Sequence, residues 1–374
     1  MIGDAVKSLV ENLDANMPEE ELGDPFLSSH GYVTYPLNAN YFKPIKVVES
    51  DKKLAFVDGG NQELVGAPNF SVQLNRIHFS MFLGRQRVNP RSIPQGIEFL
   101  SLTHATFRDE QIHYDTSLFP VDEGYSELLP DPSSLSLNSV DRRIMVGNSR
   151  ADISAVASVA RRFAEWEYAR HVVEKELSRE DGLVMDGTLR AWFTNESKYA
   201  KAAYAAAKAR GVVYTGLSKT SRLFTTTGLS LLGAVRKFAT ENGIGPTWFY
   251  YPIADSLNPE HDAAIFIVKL SDQSERVFRF EIYAGQVKEL SANDLNELFS
   301  QLSTNSSDLT FPGYPYGLID VDENSRVRNE ELETYRVMLF SEVSRLGLSP
   351  RLLRHIQSID AHEVLNLMKE VSHI

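Results

Sequence analysis

Two stretches of the chain share one construction, and together they constrain its fold more than any other feature. Lys53-Leu54-Ala55-Phe56-Val57-Asp58-Gly59-Gly60 is an apolar run ending in one carboxylate, with glycine following at once. Gly182-Leu183-Val184-Met185-Asp186-Gly187-Thr188-Leu189 repeats the plan. The residues before each aspartate have strand character and suit a sheet buried on both faces. Gly59 and Gly60 are expected to let the backbone turn sharply and approach a ligand closely. A carboxylate at the end of a buried strand is rigidly mounted, which is what a hard metal ion needs. Asp-Gly alone is an ordinary turn signal. Its recurrence after two apolar runs, with a glutamate-bearing helix between them, favours Asp58 and Asp186 as paired ligands.

The 374 residues, 43% of them hydrophobic, can bury a sizeable core. The absence of cysteine excludes disulfides, thiolate nucleophiles and cysteine-held metal sites, and suits a reducing cytosol. No apolar run approaches the roughly 20 residues of a membrane span. Met1–Asp14 reads as an amphipathic helix with internal acids rather than a signal peptide. The chain is therefore expected to be cytoplasmic. A net charge of −12 argues against coating nucleic acid by bulk electrostatics. It leaves room for a nuclease, whose metal site is itself rich in carboxylates.

In chain order, three strands (Lys53 onward, Phe70–Gly84, Ile97–Phe107) suggest an antiparallel meander. Residues 108–149, with three prolines and a serine run, read as an irregular surface insertion preceded by the cluster Arg85, Arg87 and Arg91. Ala151–Leu177 reads as one long helix, followed by strand 182–189, helix Glu196–Arg210 and strand Val212–Leu217. Helix Leu229–Glu241 stops at Asn242-Gly243. Three more strands follow (Thr247–Ile253, Ala263–Leu270, Arg276–Tyr283), then a helix over Ala292–Leu302 with Ser291 as N-cap. Helices Glu330–Leu346 and Ala361–Val371 close the chain. The expected fold is an α/β, ribonuclease-H-like mixed sheet flanked by helices, with acids at strand ends. It is expected to form one domain over 1–374, with its core at about 50–330 and C-terminal helices at 330–374.

Paired carboxylates in such a sheet point to Mg2+ or Mn2+ and phosphodiester hydrolysis. On the long helix, Glu167 falls within the apolar stripe, where an unpaired carboxylate would be costly, and Glu165 lies on its flank. Helical phase favours Glu167 as the inward acid. Lys219 and Arg222, in Ser218-Lys219-Thr220-Ser221-Arg222 at the mouth of a strand, could orient a phosphate or the attacking water. The glycine pattern of a P-loop is missing there. Asp320 and Asp322, after the Tyr-Pro segment, either complete a metal site or are acids near a helix start. His171 and His261 are given no metal role, and no nucleophile elbow supports a catalytic triad.

Taken together, these motifs resemble the NurA nuclease family. The matching parts are Phe56–Gly60, Arg161–Glu165, Val184–Leu189, Gly216–Arg222 and Gly313–Leu318, in family order from about residue 53 to 327. The resemblance implies Mn2+-dependent DNA cleavage, as a 5′→3′ exonuclease on single- and double-stranded DNA and a single-strand endonuclease. It also implies a homodimer that docks on a HerA-type hexameric ATPase in DNA end resection. It matches Asp58 and Asp186 to metal-binding aspartates and Glu165 to a helical glutamate, in conflict with the phase that favours Glu167. Two departures stand out: Asp322 takes a place where family members often carry His, and Gly60 one where Ser is common. The separation of Asp58 and Asp186 is wide, which an insertion at residues 108–149 would explain. A catalytically inactive dimeric adaptor for the ring ATPase is the rival expectation, and a hydrolase of another phosphate ester a third.

Overall fold

The computed structural model describes residues 2–16, 21–28, 30–145, 147–150, 152–309 and 311–348. The helix expected over Ala361–Val371 lies outside them. The chain divides into two compact units, each discontinuous in sequence. One comprises residues 1–49, 187–189 and 215–315; the other comprises 50–186, 190–214 and 316 onward.

The second unit holds the expected meander. Strands Lys53–Ala67, Phe70–Leu83 and Gly96–Arg108 pair antiparallel in sequence order, and Gly182–Asp186 lies parallel to Lys53–Ala67 on its other side. Leu54 to Val57 and Leu183 to Met185 are almost wholly buried, as strands covered on both faces require. Successive residues of a strand point to opposite faces, and the two faces carry different helices. On one face Phe79 packs edge-on against Tyr168 of helix Val159–Lys175, and Arg161 donates to the Gly59 carbonyl at 3.1 Å. On the other, Phe56 and Ser80 meet helix Tyr316–Ser325. This is the ribonuclease-H-like plan of a mixed sheet between helices.

Three expectations are adjusted. The stretch over 108–149 is less irregular than its prolines suggest, because Gln111–Pro120 is a regular strand paired with Gly96–Arg108. Its hairpin turns through Asp109 and Glu110, both at positive φ. The long helix is broken in two, Ile153–Ala157 and Val159–Lys175, at Ser158, whose hydroxyl donates to the Ala155 carbonyl. Gly59 and Gly60 make no turn: the strand runs straight through them to Ala67.

In the first unit, strands Phe42–Pro44, Trp248–Tyr250, Ala263–Lys269, Phe278–Tyr283 and the residues Thr215–Ser218 form an antiparallel array in that order. Ser291 caps helix Ala292–Asn305 in a capping box with Asp294. A polar knot lies in the interior. Glu281 accepts from Arg279 Nε at 2.6 Å and from the Leu189 amide at 2.7 Å, and lies 2.9 Å from His261 Nε2. His261 also meets the Tyr32 hydroxyl at 2.6 Å. It is thus a satisfied core histidine.

Burial alone would push the Glu281 carboxyl up, but Arg279 and His261 override this and hold it at about 2, against an ordinary 4.5. A depressed folded pKa contributes stability that is present above the unfolded value and is lost as pH falls through the folded one. Denaturant melts should therefore show a loss of stability between about pH 4.5 and about pH 2. Glu281→Gln should weaken the fold at neutral pH and flatten that slope. An unchanged slope would rule the knot out as its source.

Candidate metal centre

Asp58 and Asp186 end neighbouring parallel stretches in matched register. Met185 pairs with Val57, and each aspartate is the next residue along. Gly187, at φ +113°, then supplies the turn expected after Asp186. At Asp58 the glycines serve close approach instead. A Cβ on Gly60 would overlap the Ser325 carbonyl oxygen, and one on Gly59 would stand 2.7 Å from Glu165 Oε1. Glycine at position 60 thus has a steric reason. Helix Tyr316–Ser325 lies too close to the strand for any side chain there.

That helix delivers the third acid. Carboxylate oxygens of Asp58, Asp186 and Asp322 all lie within 4.8 Å of one another, each residue partly exposed. Arg326 donates to Asp322 at 2.8 Å, and the Gly59 amide donates to Asp58 at 2.8 Å. Like charges this close repel by about 3 kcal/mol per pair at the effective dielectric near a protein surface. A divalent cation among them reverses that sign. The donors are all hard oxygens, which suits Mg2+ or Mn2+ and not a soft metal. The residues fit the ion.

The remaining candidates are placed as follows. Glu165, only 2% exposed, is not within the three-carboxylate group. It is ion-paired with Arg161 and, at 3.1 Å, with Arg162. Arg162 is held in turn by the buried Glu196 at 2.9 Å, and Arg161 also donates to Asn61. Glu167 is ion-paired with Arg170 at 2.5 Å and lies 3.7 Å from His171. Burial would raise its carboxyl, yet His171 and Arg170 hold it below the usual range. Glu165 is thus the glutamate beside the Asp58 strand, and Glu167 lies away from it on the arginine- and histidine-lined side of the helix. Lys219 and Arg222 are exposed on the loop after strand Val213–Ser218 of the other unit, with Lys219 Nζ 6.0 Å from the Tyr314 ring.

The sequence reading missed the seat of the Asp322 helix. Asp320 turns away from the group and accepts from Ser80 and Arg87. Beside it, His78 faces Asp58 across the strand pair. Burial lowers its imidazole to about 4, with Asp320 opposing and Arg87 and Arg76 adding to the shift. The spacing of two acids on a helix was the available signal, since residues two apart point to different sides.

The NurA domain family matches residues 52–327, most of the chain, and all three aspartates fall inside the match. The chain belongs to the NurA family. Its fold is similar to the NurA nuclease of Sulfolobus solfataricus, at 12% identity and a TM-score of 0.50, covering 92% of this chain and 95% of that one. Lower similarity extends to Ciona intestinalis Endonuclease V in complex with DNA (10% identity, TM-score 0.34, 77% and 92% covered). It extends also to Aquifex aeolicus Argonaute (10% identity, TM-score 0.28, 75% and 29% covered). A search of curated proteins finds no match. Asp322, inside the matched residues, brings a ligand-capable side chain to the carboxylate group.

Proposed function

We propose that this chain is a metal-dependent deoxyribonuclease whose cation is held by Asp58, Asp186 and Asp322. The observation that carries the reading is the convergence of three carboxylates from two neighbouring strands and a helix in a NurA-family chain. A divalent cation bound there supplies Lewis acidity toward a phosphodiester and its attacking water. Asp58 and Asp186 orient it from the rigid sheet, and Asp322 closes the set. Glu165, beside Gly59 and ion-paired with Arg161 and Arg162, would be the further carboxylate candidate for holding the cation. Lys219 and Arg222 bind DNA phosphates. The finer reading is 5′→3′ exonuclease action on single- and double-stranded DNA, with single-strand endonuclease action, by one nuclease domain acting as a homodimer in the cytoplasm. A HerA-type hexameric ATPase feeds it DNA for end resection, which suits a chain of net charge −12 that attracts DNA poorly by itself. Among the described residues no helix is long and apolar enough to cross a membrane.

The test is a Mn2+ titration of cleavage on end-labelled single-stranded DNA, with and without the ATPase. Metal-dependent cutting is the expected result. Absence of cutting at every Mn2+ concentration in both arms would leave the dimeric adaptor as the better reading. Cleavage of a simple phosphate ester but not of DNA would favour the third.

A further inference from the structure

Helix Tyr316–Ser325 carries two acids, and only Asp322 joins the three-carboxylate group. Residues two apart on a helix are separated by about 200° around its axis, so the second acid has a different task. Asp320 is 6% exposed. One of its oxygens accepts from the Ser80 hydroxyl and the other is ion-paired with Arg87. Ser80 lies on strand Phe70–Leu83. Arg87 lies on the short strand Gln86–Val88 that pairs with it, and its guanidinium stands 5.6 Å from the Phe82 ring. Asn324, one turn on, donates to the Asp320 carbonyl at 2.7 Å. A buried carboxylate is costly unless its oxygens are paired, and here both are.

Against the sheet this helix also makes apolar contacts: Gly317 over Phe56, Leu318 and Val321 fully buried, and Tyr316 edge-on to Phe82 at 5.8 Å. Apolar packing is nondirectional and holds the helix down without fixing its rotation. A charge-assisted pair is directional.

We propose that Asp320 is a positioning residue for the metal centre. Gripped by Ser80 and Arg87, it sets the rotation of the helix that places Asp322 beside Asp58 and Asp186. This rests on the metal-site reading above. It reaches beyond it, because Asp320, Ser80 and Arg87 govern cation affinity without touching the cation.

The experiment titrates the full chain with Mn2+ alone, following free Mn2+ by electron paramagnetic resonance, and separately measures cleavage against Mn2+ concentration. Asp320→Asn is expected to weaken Mn2+ binding about 10- to 100-fold, and to lower the rate at saturating Mn2+ far less. Arg87→Gln should shift affinity the same way by less, Arg87→Lys should recover most of it, and the double variant should be no worse than Asp320→Asn. Circular dichroism checks folding. Should Asp320→Asn fail to fold, Arg87→Gln, which alters a partly exposed side chain, decides. Wild-type Mn2+ affinity in the folded variants would overturn the positioning role and leave the metal site standing. A wild-type chain binding Mn2+ no better than Asp58→Ala would remove the metal site, and the positioning role with it.

Discussion

Asp58→Ala or Asp186→Ala is expected to abolish Mn2+-dependent DNA cleavage while leaving the chain folded. Each aspartate supplies an oxygen to a group whose members lie within 4.8 Å, and each comes directly after a buried apolar run whose burial does not depend on the carboxylate. A two-ligand remnant loses both cation affinity and Lewis-acid stabilisation of the reacting phosphate. Several kcal/mol of transition-state stabilisation corresponds to a fall of about a thousandfold or more. Stability should move the other way when metal is absent. Removing one of three mutually repelling charges relieves strain, so metal-free variants should melt no lower than the metal-free wild type. Added Mn2+ should raise the wild-type melting temperature and leave the variants unmoved. Single-turnover cleavage of labelled DNA beside thermal melts measures both. Full activity in both variants would sink the mechanism.

The second large effect is steric. Gly60→Ser should damage this chain. A Cβ at position 60 would overlap the Ser325 carbonyl, a backbone atom that no rotamer change can move aside. Gly317→Ala should act similarly from the other partner, since its Cβ would overlap the ring of Phe56, which is completely buried. Overpacking of this kind costs about 1–3 kcal/mol or more. The strain is relieved only by lifting the helix, which carries Asp322 away from Asp58. Both variants should therefore lose melting temperature and Mn2+ affinity together. Wild-type values for Gly60→Ser on both measurements would rule out so close a seat for the helix on the strand.

Much of this site could be read in the sequence because buried strands announce themselves. Leu54 to Val57 and Leu183 to Met185 are apolar without alternation, and the carboxylates that follow them are adjacent in space. What escaped was decided by geometry that residue type does not encode. Asp58-Gly59-Gly60 looked like a turn, yet the glycines are there to clear the Glu165 side chain on one face and the Ser325 backbone on the other. Strand Gln111–Pro120 alternates Tyr114 and Thr116 inward, but its hairpin lacks the usual glycine. Asp109 and Glu110 both take left-handed conformations, which aspartate tolerates but glutamate seldom adopts. Glu165 and Glu167 share one helix, and what sets them apart is that Glu165 lies beside Gly59 with Arg161 and Arg162 whereas Glu167 pairs with Arg170. Asp322 was visible as an acid, but its place in the group depended on a helix seated by residues more than two hundred positions earlier.

That separation has a consequence for the chain as it is made. Asp58 and Asp186 belong to segments synthesised early, whereas Asp322 follows the whole block of residues 215–315 that builds the other unit. Because domains fold as units from the N-terminal side during synthesis, an emerging chain carries the sheet and its two aspartates well before the helix that completes the trio. A ribosome-bound chain stalled short of Asp322 therefore holds two of the three carboxylates and lacks the helix that brings the third.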